Sequence, residues 1–164
     1  MNNYTDVSKI SLTPMTDDMY RRYFKEYEND PALFADKSRF EPYVYDAEKV
    51  ERYIARQKNL GRVTLAIMYG EEIAGEIVFK NIEKGVCATM GLSLKNDSYK
   101  DRGIGTEAER QAIDYAFGVL DLPTLYADAL KTNTRSIRVL TKVGFRFVRE
   151  DELFAYYRVD RENR

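Results

Sequence analysis

The sequence of 164 residues contains no histidine, no tryptophan and a single cysteine, Cys87. Without histidine the chain cannot build a Ser-His-Asp or Cys-His nucleophile, an imidazole general base, or the commonest zinc and iron ligand sets. A lone cysteine cannot form an internal disulfide, which is typical of proteins from a reducing compartment. Any chemistry must therefore use carboxylates, hydroxyls, amides, backbone groups or a bound small molecule.

Long apolar runs are absent as well. No stretch is long enough to cross a bilayer, and the N-terminal residues lack the basic and apolar regions of a secretory signal. We therefore expect a cytoplasmic protein without a membrane partner. The length favours a single domain over residues 1–164, and a hydrophobic content of 44% is sufficient for a core.

Charge of either sign is not in excess, with 26 Lys and Arg against 27 Asp and Glu. This balance argues against nucleic acid as a partner. The charges are not balanced locally, because residues 131–149 contain six basic residues and no acidic one. Such a run indicates either a solvated helix face or a site for an anionic ligand, and composition leaves both open.

The spacing of apolar residues predicts a fold of the α/β class, in which helices and strands are mixed along the chain (α+β). Three strand-like segments in the middle of the chain, joined by glycine turns, predict an antiparallel meander. A strand–helix–strand unit after it implies a mixed, mostly antiparallel twisted sheet of six to seven strands with helices on both faces. The predicted strands are residues 10–12, 63–69, 73–82, 86–94, 124–130, 145–148 and 153–159; the predicted helices are residues 17–27, a segment that Asp46 caps, 104–117 and 134–142.

The most informative stretch is residues 92–108 (LSLKNDSYKDRGIGTEA), where an apolar strand leads through a polar loop into a glycine-rich helix start. Glycines allow a phosphate to approach the backbone, and the first turn of a helix offers unpaired N–H groups and a partial positive charge. A structural turn and a dinucleotide site are the alternatives. The dinucleotide fingerprint, however, follows its strand directly, whereas here about eight polar residues intervene.

A second motif lies in residues 133–145 (NTRSIRVLTKVGF). It predicts an asparagine cap, a short basic helix, a glycine stop and a new strand. Asn133 alone is most simply explained as the helix cap.

Together the two motifs resemble the GCN5-related N-acetyltransferase (GNAT) family. That family has Gln/Arg-x-x-Gly-x-Gly/Ala at its central helix and, later, Asn-x-x-Ser/Ala followed by Lys-x-Gly-Phe. Residues 100–105 (KDRGIG) match the first pattern with Lys100 in place of Gln or Arg, and Asn133, Ser136 and Lys142 fall on the second. The order of predicted elements is similar to that of the family over about residues 8–160.

The resemblance implies an N-acetyltransferase that uses acetyl-CoA as cosubstrate, needs no metal and acts on an amine of a small molecule or a peptide N-terminus, with a homodimer allowed for. It also implies that the backbone near the two glycines holds the pyrophosphate, that the preceding strand pairs with the pantetheine arm, and that Asn133 contacts that arm. Arg138 and Lys142 would meet the CoA phosphates. The expected cofactor-binding residues are Leu92, Ser93, Leu94, Lys100, Arg102, Gly103, Ile104, Gly105, Thr106, Asn133 and Arg138.

Two positions depart from the family pattern. Many members carry a Tyr that protonates the leaving thiolate where this chain has Leu140, and a Glu base where it has Thr89. Ser136 is the expected replacement for the Tyr, so the catalytic residues implied are Ser136 and Asn133, with Ser136 as a simple first-turn hydroxyl the alternative. Glu76 is a candidate base, although a strand Glu is more often a paired surface residue.

Two other functions stay open on the sequence. Loss of the Tyr and Glu is also compatible with a non-catalytic acyl-CoA-binding regulatory or structural domain, and the loose glycine pattern with a nicotinamide enzyme. Residues 1–50 contain ten acidic and seven basic residues, which favours a cationic acceptor slightly. Four aromatic residues there either line the acceptor site or pack the helical layer: Phe34, Phe40, Tyr43 and Tyr45.

Overall fold

The computed structural model describes residues 4–164. Within this range seven strands form one sheet in the order β1-β2-β3-β4-β5-β7-β6. The strands are β1 (Ile10–Pro14), β2 (Val63–Tyr69), β3 (Glu72–Glu83), β4 (Cys87–Leu94), β5 (Thr124–Leu130), β6 (Arg146–Glu150) and β7 (Phe154–Asp160). The α-helices are α1 (Asp17–Glu26), α2 (Ala47–Asn59), α3 (Ile104–Gly118) and α4 (Thr134–Val143).

Side-chain caps begin three of the helices. Thr16 accepts a hydrogen bond from the Met19 N–H at α1, and Asp46 accepts from the Glu48 and Lys49 N–H groups at α2. Asn133 accepts from the Ser136 N–H at α4. Each cap supplies an acceptor for N–H groups that have no partner within the helix, and the predicted caps Asp46 and Asn133 are confirmed.

The first strand is longer than the sequence predicts. The prediction ended it before Thr13, but β1 pairs with β2 as far as Pro14, which lies opposite Leu65. Proline lacks an N–H and is tolerated here because β1 is the edge strand of the sheet.

The sheet is mostly antiparallel, as predicted. Strands β1 to β4 form the meander, whose first hairpin turns at Gly70 with a φ of 61°. A residue with a Cβ atom would be strained at that angle, which explains the glycine. Only β4 and β5 are parallel, and α3 connects them.

Helices cover both faces of the sheet, which confirms the predicted layering. Leu65 and Ile67 of β2 belong to the core formed with α3 and α4, whereas Ala66 between them packs with Tyr23 of α1. Successive strand residues point to opposite faces, so α3 and α4 lie on one face and α1 and α2 on the other. No helix within residues 4–164 is long and apolar enough to cross a membrane.

Candidate functional site

A wedge opens in the middle of the sheet where β4 and β5 separate. They pair only from Cys87 opposite Thr124 to Met90 opposite Ala127. Beyond that point β4 stays paired with β3 as far as Leu94, and β5 stays paired with β7 as far as Leu130. Because each strand is held by its outer neighbour, the facing backbone groups of the two strands have no ladder partner and are free to pair with an extended ligand.

A cavity of about 310 Å³ fills this wedge. That volume lies at the lower end of the range for small-molecule sites. Among the residues predicted for the site, those that line the cavity are Leu92, Ser93, Leu94, Lys100, Gly105, Asn133 and Ser136. The two sequence motifs therefore meet in one place, although 28 residues separate Gly105 from Asn133.

The two glycines at the start of α3 have different reasons to be glycine. Gly103 is the N-cap and has a φ of 79°, a conformation that other residues rarely adopt. Gly105 has no such angle, and a Cβ built there would meet nothing within 4 Å. A glycine inside a helix is destabilising by roughly 0.5–1 kcal/mol relative to alanine, so internal packing does not account for Gly105. Its open face borders the cavity, beside the unpaired N–H groups of the first helical turn.

Several predicted residues lie near the cavity without lining it. The Arg102 guanidinium donates to the Ser98 carbonyl and stacks over Tyr69 at 5.2 Å. Ile104 is fully buried and Thr106 is half-buried in the first turn of α3. Arg138 and Lys142 are exposed on α4 and do not line the cavity, so their predicted contact with a ligand receives no support from this geometry.

A network of ion pairs crosses the rim of the cavity instead. The Asp30 carboxylate, from the loop after α1, lies 2.9 Å from Lys100 Nζ and 3.5 Å from an Arg135 guanidinium nitrogen. Asp97 also pairs with Lys100, at 2.7 Å. Partial burial opposes the charge of Lys100, but hydrogen bonds to Asp97 and Asp30 outweigh it and raise the pKa of the ammonium. Arg135, which the sequence analysis missed, is thus the α4 cation at the site.

Asn133, Ser136 and Leu140 share one side of α4. The spacings of three and four residues place them on one helix face, and all three line the cavity. Asn133 Oδ1 accepts from the Ser136 N–H at 3.3 Å, so this side chain caps the helix as well as facing the cavity. Leu140 is only 2% exposed and brings no proton donor to the wall.

Glu76 is not a surface residue. It is 6% exposed on the sheet face that α1 and α2 cover, and its two carboxylate oxygens accept hydrogen bonds from Tyr20 and Tyr53, each at 2.7 Å. Burial raises the pKa of the carboxyl against the opposing effect of the two hydroxyls. Neither Glu76 nor Thr89 lines the cavity, so the geometry does not favour Glu76 as a base.

Three of the four aromatic residues considered for the acceptor site pack against other aromatic rings, whereas Tyr45 is 40% exposed. Phe34 packs edge-to-face on Phe40 at 5.5 Å, and Tyr43 on Tyr27 at 5.1 Å. None of the four predicted residues lines the cavity, which favours the packing interpretation; Tyr27 does line it.

The remaining charged residues of the cavity wall were missed from the sequence. They are Glu28, Lys80, Glu109 and Asp128, besides Asp30 and Arg135. Glu109 carried a signal that could have found it, because it lies on the predicted helix beside the small residues Ala108 and Ala112. Among residues 4–164 no group of three or more carboxylates and thiols is arranged to hold a metal ion.

Comparison with known proteins identifies similar chains. The family model described as an acetyltransferase (GNAT) domain matches residues 9–146. A probable N-acetyltransferase, YjcK of Bacillus subtilis, is 34% identical over 76 residues, which cover 46% of this chain and 42% of that protein. Spermidine N(1)-acetyltransferase of Escherichia coli K12 is 40% identical over 47 residues, covering 29% and 25% of the two chains. The matches thus span less than half of these curated relatives.

Solved structures show the same fold over nearly the whole chain. The Campylobacter jejuni N-acetyltransferase PseH superposes with a TM-score of 0.70 at 21% identity, covering 93% of this chain and 99% of that one. Spermidine N-acetyltransferase from Vibrio cholerae, in complex with CoA and spermine, gives a TM-score of 0.76 at 15% identity, with 94% and 97% covered. At these identities the likeness concerns the fold.

Proposed function

Because the chain belongs to the GNAT acetyltransferase family, we propose that it transfers the acetyl group of acetyl-CoA to a primary amine. The observation that carries the proposal is the wedge between β4 and β5, with Gly105 open towards the cavity in its wall. Residues 1–164 act in this proposal as one N-acetyltransferase domain.

The residues of the wedge fit the three parts of a CoA molecule. The backbone N–H groups from Arg102 to Thr106 would hold the pyrophosphate, where the absence of a side chain at Gly105 leaves room. The unpaired backbone of residues 92–94 would pair with the amide-containing arm, as an added strand does. When bound, acetyl-CoA supplies an activated acyl group, so the chain needs no nucleophile of its own.

The chain's contribution to the reaction is positioning, charge stabilisation and proton handling. The backbone of β4 between Leu92 and Leu94, on the side that β5 leaves, would donate an N–H to the acetyl oxygen as negative charge develops there.

A cationic small amine is the acceptor that the wall of the cavity favours, with a peptide N-terminus as the alternative. Glu28 and Asp128 bring two carboxylates to the wall besides Asp30, which already pairs with Lys100 and Arg135, and Tyr27 adds an aromatic face. Carboxylates and aromatic rings are the groups that attract ammonium ions. Spermidine is the amine named for one of the curated relatives.

Turnover with a panel of amines tests the proposal. The chain is incubated with acetyl-CoA and either spermidine, an aminoglycoside or peptides with free N-termini, and free thiol is measured. We expect thiol release that depends on at least one amine. Tight CoA binding without release in any reaction would instead support the non-catalytic acyl-CoA-binding function, which Leu140 and Thr89 keep as the second candidate.

Thermal shift separates CoA from a nicotinamide ligand. Only a ligand that binds the native state raises the melting temperature, so acetyl-CoA and CoA should stabilise the chain and NADH at the same concentration should not. Stabilisation by NADH alone would contradict the proposal.

Ser136→Ala tests the predicted role of that hydroxyl. If Ser136 donates to the leaving sulfur, kcat falls by about 100-fold or more, because general acid catalysis contributes on this scale, while the Kd for CoA changes little. Thr141→Ala, on the exposed side of the same helix, is the control. An unaltered kcat in Ser136→Ala would leave the residue with a structural role.

Asp30→Asn should tighten CoA binding. The substitution keeps the size of the side chain and removes one of the two carboxylates that each cation pairs with. Asp97 stays with Lys100 and Asp101 with Arg135, but more of their positive charge becomes available to phosphate. We expect Kd to fall about fivefold, which corresponds to about 1 kcal/mol, the upper range for a partly exposed ion pair. Titration calorimetry with CoA measures this, and Asp36→Asn on the same loop is the control. Weaker binding in Asp30→Asn would contradict the expectation.

A further inference from the structure

Glu109 is a buried carboxyl in the wall of the cavity for which the proposed function has no use. On α3 it lies four residues after Gly105 and four before Ile113, so the three residues form one row on the helix. Gly105 borders the cavity in the first turn, and Ile113 is fully buried in the core. Glu109 therefore lies where the cavity meets the core, roughly 6 Å along the helix from Gly105.

One oxygen of the Glu109 carboxyl is buried without a partner among residues 4–164. The residue is 5% exposed, and its Oε2 atom has no hydrogen-bond partner among the described residues. Burial raises the pKa of the carboxyl to about 8, so it holds a proton at neutral pH and is a hydrogen-bond donor. A buried donor without an acceptor is destabilising, which suggests that the acceptor belongs to a ligand.

No charged neighbour accounts for this protonation, because burial is its only cause. On α3 itself, Glu107 and Arg110 pair with each other. The titratable groups that face the cavity from the other elements are Tyr27 and Glu28 after α1, Asp30 in the following loop, Lys80 of β3, Lys100 before α3, Asp128 of β5 and Arg135 of α4.

Glu109 and Leu140 line the same cavity from two helices that pack against each other. Met90 and Ala127, the last residues that pair β4 with β5, lie in the same wall. Met90 and Ala127 mark the closed end of the wedge, and Glu109 lies on the core side of Gly105 in the same cavity, so a ligand that enters at Gly105 would extend towards Glu109. Leu140 cannot donate a proton there. Glu109 can, and its carboxyl is a far stronger acid than the hydroxyl of Ser136, the donor that the sequence analysis expects.

We propose, on the basis of the acetyl transfer proposed above, that Glu109 is the general acid that protonates the departing sulfur of CoA. As the acceptor nitrogen bonds to the acetyl carbon, the carbon–sulfur bond breaks and its electron pair goes to sulfur. The Glu109 proton moves to that sulfur and leaves a carboxylate. The surplus proton on nitrogen goes to water, and Glu109 regains a proton from solvent when CoA leaves, so atoms and charge balance.

The pH dependence of kcat tests this role in the complete chain. Glu109→Gln keeps the shape and the hydrogen-bond donor but cannot transfer a proton. We expect it to lower kcat by about 100-fold, the lower end of the general-acid range because a thiolate leaves readily, with the acetyl-CoA KM within about threefold. The unsubstituted chain should lose kcat above about pH 8, and the variant should lack this decrease. A decrease that persists unchanged in Glu109→Gln overturns the proposal.

A second measurement needs neither CoA nor turnover. The folded chain holds a proton on Glu109 that the unfolded chain, with an ordinary pKa of 4.5, releases. The melting temperature of the unsubstituted chain should therefore fall as the pH rises from 5 to 8. This decrease should exceed the decrease in Glu109→Gln by at least about 5 °C. Asp114→Asn, an exposed carboxylate on the same helix, should behave like the unsubstituted chain. Equal pH dependence in all three chains would show that Glu109 is ionised when folded and overturn the proposal.

The two proposals fail in different ways. If no amine causes thiol release, the acetyl transfer is wrong, and the role of Glu109 in it falls with it whatever its protonation. If thiol release occurs and Glu109→Gln and Glu109→Leu retain both the rate and the pH profile of the unsubstituted chain, the transfer stands and the general acid is another group.

Discussion

Gly105→Glu should abolish the stabilisation of the chain by acetyl-CoA. In the unsubstituted chain, ligand at about 100 times its Kd raises the free energy of unfolding by about 2.7 kcal/mol, or roughly 5–10 °C in melting temperature for a chain of this size. The new side chain would fill the open space beside Gly105 and place a negative charge where the pyrophosphate is proposed to lie. We therefore expect no shift at the same ligand concentration.

Gly118→Glu is the matched control, since Gly118 is at the other end of α3 and also has open space around its Cβ position. Gly105→Ala should be intermediate, because it adds bulk without charge. A full thermal shift in Gly105→Glu would contradict the placement of the phosphates at this turn.

Gly75→Ala should be strongly destabilising. Gly75 of β3 lies opposite Leu94, and a Cβ there would overlap the Ser93 carbonyl oxygen and press on Ile67 Cδ1 at 3.1 Å. The overlap is with backbone, which cannot turn away as a side chain can. We expect the free energy of unfolding to fall by about 3 kcal/mol, the upper range for overpacking.

Urea denaturation measures this loss, and Gly118→Ala, where the added methyl meets nothing within 4 Å, should be close to neutral. The Ser93 carbonyl belongs to the part of β4 that leaves β5. The substitution should therefore also weaken CoA binding in whatever fraction stays folded. Unchanged stability in Gly75→Ala would contradict the close approach of the Ser93 carbonyl oxygen to Gly75.

The local elements were predictable because their signals are local. Thr16, Asp46 and Asn133 cap helices where the sequence places them, and the glycine turn at Gly70 forms the expected hairpin. Helix caps and turns depend on residues within a few positions of each other, so a single sequence contains the information. The end of β1 was missed because a proline is allowed there only on an edge strand, which is a property of the sheet.

The cavity wall was predicted less well, since it depends on how the helices rotate against the sheet. Asn133, Ser136 and Leu140 fall on one helix face, whereas Arg138 faces solvent; the cation that reaches the rim is Arg135, held by Asp30 from a loop about one hundred residues earlier. Such pairing over long separation leaves no trace in one sequence. Glu109 was missed because a glutamate on a helix is ordinarily solvated, and only burial changes its chemistry.

Mass spectrometry of the amine product tests the central claim most directly. The chain is incubated with acetyl-CoA and an equimolar mixture of spermidine and a peptide with a free N-terminus, beside a parallel reaction with Gly105→Glu. The proposal predicts that an amine gains one acetyl group with the unsubstituted chain and none above background with the variant. Acetyl-CoA consumed only by hydrolysis, or equal acetylation by both chains, would contradict it.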